Sequence, residues 1–314
     1  MTKILFIDST HPILYQILQD QSFQLDFDFE STKEEIISKI SSYHAIVIRS
    51  RMKIDKEIID AAKNLKCIAR LGAGMENIDI AYAETKGISC VNSPEGNRDA
   101  VAEHALGMIL ALQNNIIKAD AEVRNGLWLR EENRGFEIAG KTVAVIGYGN
   151  MGSAFVQRLQ GFDCNVIIYD KYKENYAPTW AKEVQEQEVF ETADIVSYHI
   201  PYNDENHFLV NKEYIRKFKK PIVLINTSRG KIVKTADLVE ALENKTIKAA
   251  CLDVLESEKV NLQNLEKENW DEDMHKLAKM QNVVLTPHIA GWTQESNIKL
   301  AQFLAQKIMS SLET

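Results

Sequence analysis

Three polar segments in the second half of the chain carry residue types that can do chemistry. Arg229 lies in N-T-S-R-G, Glu258 ends D-V-L-E-S-E, and His288 lies in P-H-I-A-G. Each segment follows an apolar run of strand length, and ligands of open α/β sheets bind at strand ends. Taken alone, Arg229 could be a surface turn residue, Glu258 one acid of a charged loop and His288 a satisfied polar group after a proline.

A glycine-rich segment lies earlier, at Gly147-Tyr-Gly149-Asn-Met-Gly152, after an apolar strand and before a helix. This spacing and context are typical of a dinucleotide-binding loop. Gly147 permits a tight turn, Gly149 allows a pyrophosphate to approach the backbone, and Gly152 lets helix and strand pack closely. The N–H groups and the positive dipole end of the helix would bind the phosphates.

Asp170 ends the next predicted strand. A carboxylate at this place can accept both ribose hydroxyls and repels a 2′-phosphate, so the sequence predicts NAD rather than NADP. Lys171, the next residue, is a cation that works against this preference. The structural alternative is that Asp170 only caps a strand end.

Strand-like apolar runs alternate with helical periodicity along almost the whole chain, which predicts parallel sheets covered on both faces. Ser31 and Glu34 have capping-box spacing, and Asp55 can cap the following helix. The predicted strands are 3–7, 45–48, 67–71, 142–146, 165–169, 194–199, 221–226, 249–254 and 282–285.

Two such series predict an α/β fold with two Rossmann-like domains. The last helix, 293–310, follows the last strand of the second series and is expected to return to the first domain. The first, substrate-binding domain is therefore discontinuous, comprising 1–98 and 291–314. The NAD-binding domain comprises 99–290.

Composition narrows the function classes. Lys+Arg 37 against Asp+Glu 45 gives a net charge of -8, which disfavours nucleic-acid binding. The longest central apolar run, 105–112, is too short to span a bilayer. The cysteines are widely spaced and predict free thiols in a reducing cytoplasm, with no metal site. They are Cys67, Cys90, Cys164 and Cys251.

Taken together and in this order, the glycine loop with Asp170, N-T-S-R-G, D-V-x-x-x-E and P-H-x-x-G resemble the D-isomer-specific 2-hydroxyacid dehydrogenases. The resemblance covers nearly the whole chain. It implies an NAD-dependent oxidoreductase that transfers a hydride between nicotinamide and a small D-2-hydroxy acid or 2-oxo acid. It also implies a homodimer formed through the long apolar helix around residues 105–112.

The resemblance implies a role for each polar residue. His288 would give its proton to the substrate carbonyl oxygen in reduction and take it back in oxidation. Glu258 would orient the imidazole and favour its protonated form, and Arg229 would hold the substrate carboxylate and carbonyl. Asp253 would accept from the nicotinamide carboxamide. The residues expected to bind the cofactor are Gly147, Gly149, Asn150, Met151, Gly152, Asp170, His199, Pro201, Thr227 and Asp253.

The segment from residue 71 to 79 resembles the family's substrate loop. Backbone N–H groups of Ala73, Gly74 and Met75 would bind the substrate carboxylate. The glycines of this loop could also serve only a tight strand-to-helix turn.

Arg49-Ser50-Arg51, at another strand end, resembles the segment that phosphoglycerate dehydrogenases use near the substrate phosphate. Arginines separated by one residue on an extended chain point the same way, as phosphate binding requires. The alternative is an exposed turn with a salt bridge. The predicted substrate pair is 3-phosphoglycerate and 3-phosphohydroxypyruvate, which belongs to serine biosynthesis.

Two other functions remain open. A glyoxylate/hydroxypyruvate reductase would make no use of the arginine pair, and a corepressor-like protein would sense NAD without turnover. Two positions depart from the family pattern. Lys259 replaces the usual proline after Glu258, and Trp292 stands near His288 where many relatives have a small residue.

Overall fold

The computed structural model describes residues 1–258 and 267–313, so Lys259 lies outside the described residues. The described chain divides into two compact units. The first consists of Met1–Arg98 with residues 292–313, and the second of Asp99–Glu258 with residues 267–291. The first unit is discontinuous, as predicted, and residue 291 falls in the second unit rather than the first.

A parallel five-stranded sheet, in the order β2-β1-β3-β4-β5, forms the centre of the first unit. Its strands are β1 (Lys3–Phe6), β2 (Gln24–Phe27), β3 (Ala45–Ile48), β4 (Cys67–Arg70) and β5 (Ser89–Asn92). Its helices are α1 (Pro12–Asp20), α2 (Lys33–Lys39), α3 (Lys56–Ala61), α4 (Ile80–Thr85) and the C-terminal helix (Gln294–Glu313).

Both faces of this sheet are buried at its centre, which explains why the central strands β1, β3 and β4 are mostly apolar. Ile4 and Phe6 belong to the cluster that includes the C-terminal helix, whereas Leu5 belongs to the cluster on the other face. The C-terminal helix joins this unit because its apolar stripe lies against that cluster. The stripe consists of Leu300, Ala301, Leu304, Ala305 and Ile308.

The predicted capping box of α2 is wrong by one residue. Thr32 is the N-cap, and Glu35 returns the bond to the Thr32 backbone. The hydroxyl of Ser31 donates instead to Asp28, at 2.8 Å. The predicted cap of α3 is confirmed, since the Asp55 carboxylate accepts from the backbone at the start of the helix.

A parallel seven-stranded sheet, in the order β12-β11-β10-β9-β6-β7-β8, forms the centre of the second unit. Its strands are β6 (Thr142–Ile146), β7 (Asn165–Tyr169), β8 (Lys182–Glu183), β9 (Ile195–Tyr198), β10 (Ile222–Asn226), β11 (Ile247–Leu252) and β12 (Val283–Leu285). Its helices are α5 (Arg98–Gln113, whose first residue belongs to the first unit), α6 (Ile116–Arg124), α7 (Asn150–Leu159), α8 (Glu186–Thr192), α9 (Lys212–Ile215), α10 (Thr235–Glu243) and α11 (Glu272–Leu277).

Apolar clusters cover both faces of this second sheet as well. All strands in both sheets run parallel, so the loops that follow them gather at one edge of each sheet. Within residues 1–258 and 267–313, no helix is both long and apolar enough to cross a membrane. The same residues contain no cluster of side chains that could hold a metal ion.

Candidate active site

The glycine loop follows β6 and leads into α7. Gly147 has a φ of 90°, and a Cβ on it would collide with the carbonyl oxygen of His199. A Cβ on Gly152 would overlap the carbonyl oxygen of Gly147. Glycine is therefore required at both positions for the loop to close on the helix.

The N-terminus of α7 is suited to an anion. Gly149 is its N-cap, and no side chain in the described chain caps the helix. The space where a Cβ of Gly149 would lie is open. Asn150 and Met151 form the first turn, so their backbone N–H groups lie at the positive end of the helix dipole. The loop thus fits the pyrophosphate of a dinucleotide.

Asp170 ties this loop to the end of β7. Its Oδ2 accepts from the backbone N–H of Tyr148 at 2.8 Å, and its Oδ1 accepts from that of Tyr172 at 3.0 Å. Asp170 therefore has a structural role in holding the glycine loop. Each carboxylate oxygen can accept a further bond, so the ribose-binding role is compatible with it.

His199 was expected to contact the cofactor, but its side chain lies in the core. Its Nε2 is 2.8 Å from the hydroxyl of Ser197, and its ring packs on Phe155 with centroids 5.2 Å apart. Burial lowers the pKa of His199 to about 4, so the ring is neutral. His199 thus supports the glycine loop from beneath, and its contact with the cofactor stays a prediction.

Pro201 and Thr227, two further predicted cofactor residues, differ in their surroundings. The carbonyl of Pro201 accepts from Asn206 Nδ2 at 2.7 Å. The hydroxyl of Thr227 is buried and has no partner among the described residues. A buried polar atom without a partner is costly, so this hydroxyl is a fitting contact for a bound molecule.

Arg229 follows β10 in a loop that buried polar groups hold in place. Asn226 donates through Nδ2 to the Arg229 carbonyl at 2.9 Å and accepts from the backbone of Ser228. The hydroxyl of Ser228 donates to the carbonyl of Tyr198 at 2.5 Å. The Arg229 guanidinium donates to the carbonyl of Ser228 at 2.6 Å.

The loop of Arg229 touches the loop of Glu258. A Cβ on Gly230 would overlap the carbonyl of Leu255, so only glycine allows this approach. The backbone N–H of Leu255 in turn donates to Oε1 of Glu258. The structure thus brings two of the three predicted catalytic segments into backbone contact.

The third segment, which carries His288, contacts the segment of Glu258 through a pair of side chains. His288 Nδ1 lies 2.8 Å from Oε2 of Glu258. Their side chains are 28% and 22% exposed, so the pair is accessible without being fully solvated. Because Nδ1 faces the carboxylate, Nε2 is the nitrogen left for proton exchange with another molecule.

Asp253 fixes the backbone of His288. His288 has a φ of 56°, an uncommon value for a non-glycine residue, and its N–H donates to the Asp253 carbonyl at 2.8 Å. The Asp253 carboxylate accepts from the N–H groups of Ile289 and Ala290, both at 2.9 Å. This carboxylate is fully buried and shapes the histidine loop, and its expected bond to a nicotinamide stays a prediction.

His104 belongs to the same network and was not predicted as a site residue. Its Nε2 lies 3.0 Å from the hydroxyl of Thr286, and that hydroxyl is 2.6 Å from Oδ1 of Asp253. The partners of His104 become visible only in the folded chain.

In the first unit, the segment Arg49-Ser50-Arg51 follows β3 and is held by Asp8. Oδ2 of Asp8 accepts from the N–H groups of Arg49 at 2.6 Å and Arg51 at 3.3 Å. The Arg49 guanidinium lies 4.8 Å from the ring centroid of Trp292. Arg51 donates through Nη2 to the Asp28 carbonyl at 3.3 Å, and its buried Nε has no partner among the described residues.

The glycine loop after β4 adds a third guanidinium to this edge. Gly72 has a φ of 137°, and a Cβ there would collide with the Arg70 guanidinium. Nε of Arg70 donates to the Arg49 carbonyl at 3.2 Å. The sequence reading missed Arg70, because it sits inside an apolar strand segment.

The predicted substrate-loop residues follow Gly72 directly. The carbonyl of Ala73 accepts from Asn92 Nδ2 at 2.5 Å. Gly74 is buried, and Met75 is half-buried with its carbonyl accepting from the N–H of Ile78 at 3.0 Å. These bonds engage the carbonyl groups of Ala73 and Met75, not their N–H groups.

Comparison with known proteins agrees with this arrangement. Residues 106–290 match the model of the D-isomer specific 2-hydroxyacid dehydrogenase NAD binding domain. The chain is 36% identical to a glyoxylate reductase of Thermofilum pendens, with 91% of this chain and 83% of that protein covered. It is 35% identical to a D-3-phosphoglycerate dehydrogenase of Archaeoglobus fulgidus, with 98% of this chain covered but only 57% of that protein.

A solved structure of an acyclic imino acid reductase, in complex with NADPH and D-Arg, has the same fold. Its TM-score is 0.85 at 28% identity, with 99% of this chain and 97% of that chain covered. The relatives differ in name, but the family model and the full-length matches agree on the family. This chain therefore belongs to the D-isomer-specific 2-hydroxyacid dehydrogenases, and its residues 106–290 form the NAD-binding domain of that family.

Proposed function

We propose that the chain interconverts a small D-2-hydroxy acid and its 2-oxo acid with NAD, and that 3-phosphoglycerate and 3-phosphohydroxypyruvate are its substrate pair. The observation that carries the reaction is the His288–Glu258 pair, 2.8 Å apart at the edge of the second sheet. Such a pair is what proton transfer at a substrate oxygen needs.

The residues of this chain divide the work. A bound cofactor would supply the hydride as NADH in reduction and accept it as NAD⁺ in oxidation. His288 gives a proton to the carbonyl oxygen in reduction and takes it back in oxidation, while Glu258 holds the ring and stabilises its positive charge. Arg229 holds the substrate carboxylate with its fork of donors. Asp253 keeps the histidine loop in its left-handed conformation.

Binding of NAD at the second unit rests on the glycine loop, the end of β7 and the unpartnered hydroxyl of Thr227. The preference for NAD over NADP is part of the proposal. The fold alone does not decide it, since the acyclic imino acid reductase of the same fold is complexed with NADPH. We assign the preference to Asp170 and its neighbours, because a carboxylate at this place repels a 2′-phosphate.

The phosphorylated substrate is proposed because Arg49, Arg51 and Arg70 lie together at strand ends of the first sheet. A dianionic phosphate binds well where several guanidinium groups converge. Such an enzyme would act in serine biosynthesis.

A glyoxylate/hydroxypyruvate reductase is the second candidate. One observation favours it: Arg49 is stacked on Trp292 and Arg51 is bonded to the Asp28 carbonyl, so both already have a partner. The glyoxylate reductase of Thermofilum pendens is also among the relatives. A non-catalytic NAD-sensing protein is the third candidate, and the presence of Arg229, Glu258 and His288 argues against it.

One assay separates the three candidates. NADH oxidation is measured with 3-phosphohydroxypyruvate, hydroxypyruvate and glyoxylate at equal concentrations. The proposal expects the highest kcat/KM with 3-phosphohydroxypyruvate. A preference for glyoxylate or hydroxypyruvate would favour the reductase, and NADH binding without turnover on any 2-oxo acid would favour the sensor.

We also propose that the chain forms a homodimer, through a different surface from the one predicted. Much of the helix segment 105–112 is buried within its own unit, where Ala105, Met108 and Ile109 contribute to the core. Large apolar side chains are exposed instead on α6 and just after it. They are Ile116, Ile117, Val123, Leu127, Trp128 and Leu129.

Trp128 is 78% exposed, which is unusual for so large an apolar side chain and is typical of an interface anchor. A second copy of the chain is the proposed occupant of this surface. Light scattering after size exclusion should give twice the chain mass for the wild type and a monomer for Trp128→Glu. A monomeric wild type would contradict the proposal.

A reducing cytoplasm remains the proposed location. The four cysteines are free thiols, and burial raises the pKa of Cys67 to about 12 and of Cys90 to about 11. Thiols in this state are poorly reactive.

A further inference from the structure

Lys171 follows Asp170 and is the cation expected to work against a preference for NAD. Its ammonium group already forms a salt bridge. The ammonium of Lys171 lies 2.7 Å from Oε2 of Glu205. The hydroxyl of Tyr172 donates to the same oxygen at 2.8 Å. Glu205 is distant in sequence, so only the fold brings it to the end of β7.

The geometry of this contact is set from both sides. Asp170 accepts from the N–H of Tyr172, which fixes the turn that carries Lys171. Glu205 lies in a 3-10 turn, Asp204–Asn206, that Asn203 caps through its side chain. Asn206 of this turn donates to the carbonyl of Pro201, which anchors the turn to the loop after β9.

The contact also fixes the charges. The hydrogen bond with Glu205 raises the pKa of Lys171, and the bond with Lys171 lowers the pKa of Glu205. Both groups therefore stay ionised near neutral pH. A second lysine, Lys173, donates to the carbonyl of Tyr148 at 2.6 Å and is directed to the glycine loop.

A 2′-phosphate on the adenosine ribose is what distinguishes NADPH from NADH. It would be placed beside Asp170, where a cation could neutralise it. We propose that Glu205 is a specificity-determining residue: it holds the Lys171 ammonium and adds a second negative charge, and both effects disfavour NADPH. This inference rests on the proposed NAD site at the glycine loop.

The test measures cofactor binding without turnover. Dissociation constants for NADH and NADPH are obtained from nicotinamide fluorescence for the wild type, Glu205→Gln, Asp204→Asn and the double variant Lys171→Ala/Glu205→Gln. Asp204→Asn is the matched control, because it removes an equal charge from the same exposed turn and leaves the Lys171–Glu205 bond in place.

Glu205→Gln should tighten NADPH binding by roughly fivefold, as expected for an exposed charge pair acting on a dianion, with NADH binding changed by less than twofold. The double variant should lose most of this gain, because the released Lys171 ammonium provides it, and Asp204→Asn should show no gain.

An NADPH change below twofold in Glu205→Gln would overturn the inference, and so would an equal gain in Asp204→Asn. Failure of the wild type to bind NADH would overturn the cofactor site itself and the inference with it. The two failures are therefore distinguishable.

Discussion

The strand-end edges of the two sheets are built differently. In the second unit, three backbone N–H groups of the His288 loop donate to Asp253, two of them to its fully buried carboxylate and one to its carbonyl. In the first unit, Arg49 and Arg51 are held mainly through their backbones by Asp8, and their side chains meet an exposed indole and a carbonyl.

This difference matches the division of labour proposed above, with the reaction at the second sheet and the choice of substrate at the first. A buried network has discrete bonds that leave a catalytic group little freedom, which is what a proton-transferring residue requires. Long guanidinium chains on a half-exposed edge can be exchanged or redirected at small cost. We therefore expect variants at the first edge to change which acid is used, and variants at the second to abolish turnover.

The largest effect is expected from His288→Ala. Loss of the proton donor should lower kcat by at least about 100-fold, with the dissociation constant of NADH little changed. Steady-state kinetics and NADH fluorescence measure the two quantities. His275→Ala, which removes another histidine of the same unit, is the control and should keep normal turnover. A near-normal kcat in His288→Ala would mean that His288 is not the proton donor, and it would contradict the comparison of the two sheets.

The neutral core histidine beneath the glycine loop predicts a pH effect on stability. The pKa of His199 is about 4 in the folded chain and about 6.5 when unfolded. The fold thus favours the neutral ring. The resulting contribution to the free energy of unfolding is complete above pH 6.5 and is lost as the pH falls towards 4. The loss should reach about 3 kcal/mol.

His199→Gln provides the control, because it removes the titrating group. Chemical denaturation between pH 6.5 and pH 4 should show a steeper loss of stability in the wild type than in the variant. An equal loss of stability with pH in the wild type and in His199→Gln would contradict the prediction. It would mean that the core around His199 is less rigid than the comparison of the two sheets requires.

Arg49→Ala and Arg51→Ala test the first edge. Each should lower kcat/KM for 3-phosphohydroxypyruvate by roughly 10- to 100-fold and leave hydroxypyruvate almost unaffected, because only the phosphate needs these donors. Lys53→Ala removes an exposed cation of the same segment and should have little effect. Equal losses on both substrates would assign the arginines to the fold or to the shared carboxylate.

The smallest effect is expected from Asp170→Asn. Its structural bonds to Tyr148 and Tyr172 are partly retained by the amide, so the change acts mainly on charge. The dissociation constant of NADH should rise by about five- to tenfold, and that of NADPH by less. Glu174→Gln, a nearby exposed acid, is the control. An unchanged NADH/NADPH ratio would leave Asp170 with a structural role alone.

Most of the strands were foreseeable from the sequence, and those that were missed share a cause. β2, β5 and β8 were not predicted, and each lies at an edge of its sheet. Edge strands carry fewer buried apolar residues than central ones, and the pairing with a neighbour defines them. The central strands, buried on both faces, were recognised because continuous apolar runs of that length have few other uses.

The sequence by itself determined the family chemistry. Glycines at fixed spacing after a strand, and the residue types of Arg229, Glu258 and His288 in their segments, were sufficient to predict a dinucleotide site and a proton donor. These signals are local, because a loop that needs glycine or a functional side chain shows the requirement in its own residues.

Only the tertiary structure determined which way the neighbouring side chains point and which groups they contact. The side chains of His199 and Asp253 lie in the core, where they contact Ser197 and the backbone of the histidine loop. Lys171 forms a salt bridge with a glutamate from another loop, and Arg70 donates to the carbonyl of Arg49. Such partners are set by long-range packing, because burial penalises an unpaired polar group and the only available partners lie on other strands of the sheet.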